Sequence, residues 1–146
     1  MSRRMYSRQD FDFWVSIATR WRDMDALRHV NHAVYLTYLE SARVDYYQHL
    51  GFMGERWDID ISTILVSMRV DYHKQVTHPV HLDIGHRISR VGHKSFDIFN
   101  GLFLPGKEEP VLTATFTIVP YNYKTHATLP VPEVVKQHLH PFSDPR

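Results

Sequence analysis

The chain has 146 residues, of which 43% are hydrophobic and 23% charged, so it is long enough for one domain with a buried core. A formal net charge of +1 excludes the strongly basic field typical of nucleic-acid binding, and no apolar run approaches the ~20 residues of a membrane span. The absence of cysteine excludes disulfides and thiolate catalysis and is typical of a cytoplasmic protein. We expect one cytoplasmic domain over residues 1–146, with flexible tails at about 1–10 and 141–146.

The first predicted elements are a strand and a long helix. The stretch FDFWVSIATRW, from Phe11 to Trp21, alternates with the period of two that is typical of a strand. After a polar turn, AVYLTYLESARVDYYQHLG changes to steps of three and four, the pattern of a helix that buries one side. Asn31 is predicted to cap this helix and Gly51 to end it. The predicted buried stripe comprises Tyr35, Tyr38, Leu39, Ala42, Tyr46 and Leu50.

Four strands and a short helix are predicted to follow. The strands are ISTILVSMRVDYHK, PVHLDIGHRISRV, HKSFDIFNGLFL and PVLTATFTIVPYNY, and the helix runs from Pro132 to Leu139. Strands joined by short turns must be antiparallel, so the predicted fold class is α+β, with one sheet wrapped around the single long helix. In the first of these strands, the alternation predicts one shared face for Ile64, Val66, Met68, Val70 and Tyr72.

The polar turn holds more polar groups than a helix cap needs. Asp23 and Asp25 can be simple turn residues, because aspartate readily accepts hydrogen bonds from nearby backbone amides. The long helix that follows, however, offers free N–H groups and a positive dipole end to a developing oxyanion. A carboxylate just upstream can then act as general base or nucleophile on a carbonyl held at that helix end.

Two further pairs of polar residues, His29 with His32 and Glu40 with Arg43, are more simply explained as structural than as a metal site or as catalytic side chains. His29 and His32 resemble zinc or iron ligands beside Asp25, but no third histidine stands at a recognised spacing, so we predict no metal site. His29 is interpreted as support for the turn. Glu40 and Arg43, three residues apart on the helix, are predicted to form a salt bridge.

The second notable stretch is RISRVGHKSF, at a junction between two predicted strands. It clusters Arg90 and Lys94 with the hydroxyl of Ser95. Such a turn is either a solvated basic hairpin or a binding site for the phosphates of a ligand.

The segment RWRDMDALRHVNHAVYLTYLESAR resembles the signature of acyl-CoA thioesterases of the 4-hydroxybenzoyl-CoA thioesterase type, in the hotdog superfamily. Their pattern is roughly D-x-D-x-x-G-H-V-N-N/H-x-x-Y-x-x-Y-x-E-x-A-R. VGHKSF is similar to the later V-G-x-x-S-F segment of that family, and with the strand order the resemblance covers residues 12–124. The residues that fall on the first pattern are Asp23, Asp25, His29, Val30, Asn31, His32, Tyr35, Tyr38, Glu40, Ala42 and Arg43.

This resemblance implies a hotdog fold, in which an antiparallel sheet of five or six strands wraps one long central helix. It implies hydrolysis of an acyl-CoA thioester without a cofactor, in a homodimer or a tetramer of two dimers with active sites at the subunit interface. Asp25 would be the catalytic carboxylate, and the backbone amide of His32 would polarise the thioester carbonyl. Arg90, Lys94 and Ser95 would lie near the CoA phosphates. The residues expected to support the turn and the helix are Asp23, His29, Asn31, Tyr35 and Glu40.

Arg28 departs from the family pattern, which usually has glycine or another small residue there. Its side chain would point outward, reach a phosphate or narrow the site. If it spoils the site, the chain is a non-catalytic module that binds acyl-CoA or an acyl carrier. A hotdog hydratase or dehydratase is a further alternative, disfavoured because no D-x-N-P-x-H motif is present. The candidate residues for the acyl pocket are Tyr38, Met53 and Trp57.

Overall fold

The computed structural model of the chain describes residues 5–52 and 60–143. The predicted order of one strand, a long helix, four strands and a short closing helix is confirmed, with a two-residue strand added before the last helix. No helix within these ranges is long and apolar enough to cross a membrane. Apart from two 3-10 turns, Arg8–Asp10 and Trp21–Asp23, the elements are β1 Phe13–Ala18, α1 Val34–Leu50, β2 Ile61–Tyr72, β3 His81–Val91, β4 Phe96–Phe103, β5 Leu112–Asn122, β6 Ala127–Thr128 and α2 Glu133–Lys136.

The strands form one antiparallel sheet in the order β1-β3-β4-β5-β2, with β6 added beside β5. Strands β3, β4 and β5 follow one another along the chain through short links and pair as neighbours, as antiparallel strands with such links must. β1 and β2 lie at the two edges of the sheet. The inner face packs on α1, so the predicted architecture of a sheet around one long helix is confirmed.

Helix α1 forms where the stripe of apolar residues recurs every three or four positions. All six residues of the predicted stripe are buried in the core between α1 and the sheet. Gly51 ends the helix as predicted, with a left-handed φ of 77°. Its N–H donates to the carbonyl of Gln48 at 3.1 Å, and that of Phe52 donates to Tyr47 at 3.0 Å, the pattern of a Schellman cap.

Strand β2 contains a bulge that its sequence does not reveal. Leu65 pairs with Ile118 and Ser67 with Thr117, which leaves Val66 as an extra residue between them. Because side chains alternate with a period of two, one inserted residue exchanges the faces of everything before it. The prediction of a single shared face is therefore wrong for Ile64, Val66, Met68, Val70 and Tyr72.

The outer face of the sheet carries a second, smaller core built around Phe11. Gly85 of β3 and Gly101 of β4 face each other in the register, and the Phe11 ring lies on both. A Cβ atom at either glycine would lie 2.6 Å from that ring, so only glycine leaves room for it. Phe99 and Phe103 pack around Phe11 and complete this outer core.

The described parts of the two chain ends, predicted as flexible tails, contact this outer face. Near the N-terminus, Arg8 forms an ion pair with Asp83 at 3.0 Å, and Tyr6 packs on the outer core. Near the C-terminus, Arg87 donates to the carbonyl of Pro141 at 2.7 Å. These contacts hold residues from both ends beside one another on the sheet.

Candidate active site

The polar turn before α1 folds as a tight hairpin. The amide of Asp25 donates to the carbonyl of His29 at 2.9 Å, and the amide of Arg28 donates back to the carbonyl of Asp25 at 3.0 Å. Met24 and Val30 form a β-bridge on either side of them. Arg28 has a φ of 66°, the left-handed conformation that glycine adopts most readily. The chain thus keeps at Arg28 a backbone conformation that suits a glycine.

The side chain of Arg28 is exposed at the tip of this hairpin. It does not line the cleft that Asp25 and His32 share. Of the three positions considered for this side chain, the structure therefore supports the outward one, and Arg28 leaves the space around Asp25 open.

Asp23 lies beneath the turn with only 2% of its surface exposed. Arg20 donates to both of its carboxylate oxygens, and the hydroxyl of Tyr38 donates to Oδ2 at 2.5 Å. Burial by itself would raise the pKa of Asp23, but the hydrogen bonds from Arg20 and Tyr38 outweigh it and hold that pKa below its ordinary value. Asp23 is a satisfied buried anion that ties the turn to α1.

Asn31 connects the turn to the helix. Its N–H donates to the carbonyl of Asp23 at 2.9 Å, and its Oδ1 accepts the N–H of Ala33 at 2.9 Å. The predicted cap at Asn31 is wrong by two residues, because α1 begins at Val34 with Ala33 at the N-cap. Asn31 instead closes an Asx turn directly before the helix.

His32 lies inside this Asx turn, with its imidazole exposed. Within residues 5–52 and 60–143, its N–H has no hydrogen-bond acceptor, while its carbonyl accepts the hydroxyl of Tyr72 at 2.5 Å. Free amides at a helix start carry partial positive charge. The His32 amide can therefore donate to a carbonyl oxygen or to the oxyanion formed from it.

Asp25 differs from Asp23 in what its carboxylate can reach. Oδ1 accepts the N–H of Leu27 at 2.9 Å, which orients the side chain. Among the described residues Oδ2 has no partner, and the side chain is half-buried at the wall of a cleft. The structure thus brings an available carboxylate and the His32 residue to one cleft.

This cleft has a volume of about 430 Å³ and lies between the hairpin turn, the start of α1 and the loop after β2. The loop is fixed to the turn by a hydrogen bond from the N–H of Val30 to the carbonyl of Val76 at 2.8 Å. The residues that line the cleft are Asp25, Leu27, His29, Val30, His32, Tyr35, Tyr72, His73, Lys74 and Gln75.

Among the lining residues that are not predicted as site residues from the sequence, Tyr72 to Gln75 come from the end of β2 and the loop after it. Tyr72 ends β2, and its hydroxyl reaches a residue forty positions earlier in the chain. His73 Nε2 bonds the hydroxyl of Thr113 at 2.9 Å, and Lys74 pairs with Glu109 at 3.1 Å on the surface. The sequence offers no local signal for this, since only strand pairing brings the end of β2 beside the helix start.

Tyr35, predicted to support the turn and the helix, and Tyr38, predicted to line an acyl pocket, are both buried. Burial raises the pKa of Tyr35 to about 12, and it also raises the pKa of Tyr38. Because the Tyr38 hydroxyl is bound to Asp23, the proposal that Tyr38 lines an acyl pocket does not fit its position. Both hydroxyls stay protonated near neutral pH.

The predicted salt bridge between Glu40 and Arg43 is wrong. Glu40 is exposed on α1, whereas Arg43 is buried with its guanidinium carbon 4.5 Å from the ring centroid of Phe116. Among the described residues, no ion pair joins the two. The helix stripe turns Arg43 inward, where an aromatic face takes the place of a carboxylate.

The residues predicted to bind CoA lie far from Asp25 in the same chain. In the sheet register, Leu112 is level with Tyr72 at the cleft, and Ile118 is level with Phe96 beside the basic turn. The stretch of β5 from Leu112 to Ile118 separates these levels by about 20 Å at about 3.3 Å per residue. One chain by itself does not unite Asp25 with Arg90, Lys94 and Ser95.

Arg90 is also engaged already. Its Nε and Nη2 donate to the carboxylate of Asp97 at 3.0 and 3.1 Å, and Nη2 donates to Ser95 at 2.9 Å. The pKa of Arg90 is raised, chiefly by the hydrogen bond to Asp97. Lys94 is exposed at the tip of the turn. Lys94 is thus the more available cation for a phosphate.

Two predicted acyl-pocket residues, Met53 and Trp57, lie outside the described residues. Within residues 5–52 and 60–143, no three His, Asp or Glu side chains are grouped so that they could hold a metal ion.

Comparison with known proteins agrees with the fold. The family model of the thioesterase-like superfamily matches residues 19–139. In Bacillus subtilis strain 168, the uncharacterized protein YsmA is 29% identical over 110 residues, which are 75% of this chain and 72% of YsmA.

Two solved structures from Pseudomonas aeruginosa share the fold. The PA5185 protein of strain PAO1 has a TM-score of 0.84 and 25% identity, covering 93% of this chain and 94% of its own. PA2801, a proposed thioesterase, has a TM-score of 0.75 and 26% identity, covering 85% of this chain and 95% of its own. These likenesses confirm the predicted hotdog fold.

Proposed function

Because the chain belongs to the thioesterase-like superfamily, we propose that it hydrolyses an acyl-CoA thioester to a free carboxylic acid and CoA. One observation carries the proposal: a single cleft is lined by Asp25, whose carboxylate keeps one oxygen without a partner, and by His32, whose amide has no acceptor among the described residues. A carboxylate and a hydrogen-bond donor on opposite sides of a carbonyl are the groups that acyl transfer requires.

In the proposed reaction, the thioester carbonyl oxygen accepts the N–H of His32, where the dipole of α1 also favours negative charge. Asp25 takes a proton from water as the water oxygen bonds to the carbonyl carbon. The tetrahedral intermediate then collapses, its C–S bond breaks, and the proton passes to the leaving sulfur, so that carboxylic acid and CoA thiol leave.

Direct attack by Asp25 is the other route. An Asp25 oxygen then bonds to the carbonyl carbon, CoA thiolate leaves, and water cleaves the resulting mixed anhydride. A single turnover in ¹⁸O-labelled water followed by mass spectrometry identifies direct attack when label appears in the protein. Label enters Asp25 when water cleaves the anhydride at the aspartyl carbonyl, whereas general-base catalysis places it only in the product acid.

A homodimer would bring the distant basic turn, which carries Arg90, Lys94 and Ser95, to this cleft. Strand β2 is an edge strand whose exposed side chains include Leu65, Val66 and Met68. Such a long apolar edge is a template for pairing with another strand. A two-fold antiparallel pairing of β2 with its copy would put the partner's Lys94 at the same end as Asp25. This arrangement would supply phosphate-binding groups that one chain does not place there.

The test is an assay of free-thiol release over a panel of aryl and fatty acyl-CoA substrates. We expect turnover by the wild type and a loss of at least about 100-fold in kcat for Asp25→Asn, because the amide cannot accept the proton or attack. Asp45→Asn, an exposed carboxylate on α1, is the matched control and should keep full activity.

Full activity of Asp25→Asn would refute the assignment of Asp25. Binding of acyl-CoA by the wild type, without turnover of any substrate in the panel, would instead favour a non-catalytic binding module.

A further inference from the structure

Tyr72 is the residue of the cleft whose contacts the proposed reaction leaves unexplained. It is the last residue of β2 and is 43% exposed, yet its hydroxyl is directed at the backbone of His32 rather than at solvent. The bond to the His32 carbonyl is short, at 2.5 Å, and joins two segments that the chain separates by forty residues.

The ring of Tyr72 is held as well as its hydroxyl. It packs edge-on against Tyr35, with centroids 5.7 Å apart, and edge-on against the imidazole of His32 at 6.4 Å. Tyr35 is itself buried at the start of α1. The aromatic frame therefore fixes where the Tyr72 hydroxyl lies, and the hydroxyl fixes the His32 carbonyl.

A tyrosine hydroxyl has a single proton to donate. In Tyr72 this proton is used on the His32 carbonyl, so the hydroxyl is not free to donate to a substrate oxygen at the same time. Burial raises the pKa of Tyr72, so the hydroxyl remains a donor throughout the neutral range. Its effect on a substrate must pass through the His32 backbone.

We propose that Tyr72 is a positioning residue for thioester hydrolysis. The carbonyl and the N–H of His32 lie on either side of its Cα, so by holding the carbonyl, Tyr72 restricts the backbone rotation at His32 that would turn the N–H away from the substrate carbonyl. This inference rests on the proposed function. Hydrogen-bond donors that stabilise an oxyanion act through their fixed orientation. Freedom of rotation at His32 would therefore reduce stabilisation of the transition state more than it reduces binding of the substrate.

The variant Tyr72→Phe removes the hydroxyl and keeps the ring packing on Tyr35. We expect kcat to fall about tenfold while KM stays within about twofold, because an oxyanion donor would be loosened without being removed. Its melting temperature should stay within about 3 °C of the wild type.

Tyr123→Phe is the matched control. Tyr123 is 47% exposed, and its hydroxyl also donates to a backbone carbonyl of β2, that of Thr63, at 2.7 Å. It does not line the cleft. This variant loses the same kind of bond, so it should show a similar change in melting temperature and an unchanged kcat.

Two inhibitors distinguish a loss of orientation of the His32 amide from a general disturbance of the cleft. A CoA difluoroketone, with a CF₂ group in place of the sulfur, is readily hydrated and so mimics the tetrahedral intermediate, whereas a CoA thioether has no oxygen at that carbon. Tyr72→Phe should weaken inhibition by the difluoroketone about three- to tenfold and leave inhibition by the thioether unchanged.

A kcat for Tyr72→Phe equal to that of Tyr123→Phe, with an active wild type, would overturn this inference and leave the proposed function standing. Equal weakening of both inhibitors would also overturn it, since a merely structural role predicts that result. If the wild type hydrolyses no acyl-CoA, the proposed function fails and the inference fails with it.

Discussion

At the tip of the hairpin, Arg28 holds a left-handed backbone with a φ of 66°. For a residue with a Cβ atom this conformation costs roughly 1–2 kcal/mol, and glycine avoids that cost. The reverse bond from the Arg28 amide to the Asp25 carbonyl keeps the conformation in place. The turn that presents Asp25 therefore stores backbone strain at a position whose side chain lies outside the cleft.

Replacing Arg28 should accordingly change stability more than activity. We expect Arg28→Gly to raise the free energy of unfolding by about 1 kcal/mol, since the relief of strain exceeds the entropy that glycine adds to the unfolded chain. Urea unfolding measures the change.

Arg28→Ala is the control for this prediction, because it removes the charge and keeps the Cβ atom. It should be less stable than Arg28→Gly. A glycine variant that is no more stable than the alanine variant would contradict the interpretation of strain.

At the scale of single residues, the D-x-D motif does not show which of its two aspartates, Asp23 or Asp25, is free to act on a substrate. As two aspartates in one turn they look equivalent, and the family resemblance alone favours Asp25. The structure separates them physically, because Arg20 and Tyr38 occupy the carboxylate of Asp23 while Asp25 keeps one oxygen without a partner among the described residues. Their difference depends on residues outside the D-x-D spacing.

At the scale of elements, the outer face of the sheet depends on Phe11 and the paired glycines beneath it. The ring is 6% exposed and lies against both Gly85 and Gly101. The segment before β1 is thereby attached to the middle strands β3 and β4. Phe11 thus adds an aromatic anchor to the contacts that Arg8 and Tyr6 make from the same segment.

We expect Gly85→Ala to lower the free energy of unfolding by about 1–3 kcal/mol, because the new methyl group would overlap the Phe11 ring. In a Phe11→Ala background the same glycine substitution should cost much less. Chemical denaturation of the two single variants and the double variant completes the cycle.

Coupling between the two sites is the decisive result of that cycle. Additive losses would show that Phe11 does not restrict the space above Gly85, in contradiction to the packing described.

At the scale of the whole molecule, β2 is the more exposed of the two edge strands β1 and β2. Its exposed apolar side chains include Ile61, Leu65, Val66 and Met68. β1, the other edge, is shorter, with six residues against twelve. Burial of β2 against a second copy is the proposed way in which the molecule removes this edge from water.

Met68→Lys should weaken that proposed dimer, because pairing would bury a charge at the edge. By size-exclusion chromatography with light scattering, the wild type should have the mass of two or four chains, and the variant should have half of that mass. Thioesterase activity should fall with the dimer, since the partner would supply phosphate contacts.

The control places the same charge on the opposite edge. Ser16→Lys is exposed on β1 and should leave the mass unchanged. A wild type that is monomeric at assay concentration and fully active would rule out the proposed dimer.

The sequence by itself determined the order of the elements, the buried stripe of α1 and its end at Gly51, because periodicity and the left-handed conformation of glycine are local properties. It also located the turn that carries Asp25 and His32. The tertiary structure decided what local patterns do not contain: the bulge at Val66, the inward position of Arg43 and the contact of Tyr72 with His32. These depend on which strands pair and in which register, and pairing joins residues that lie tens of positions apart in the chain.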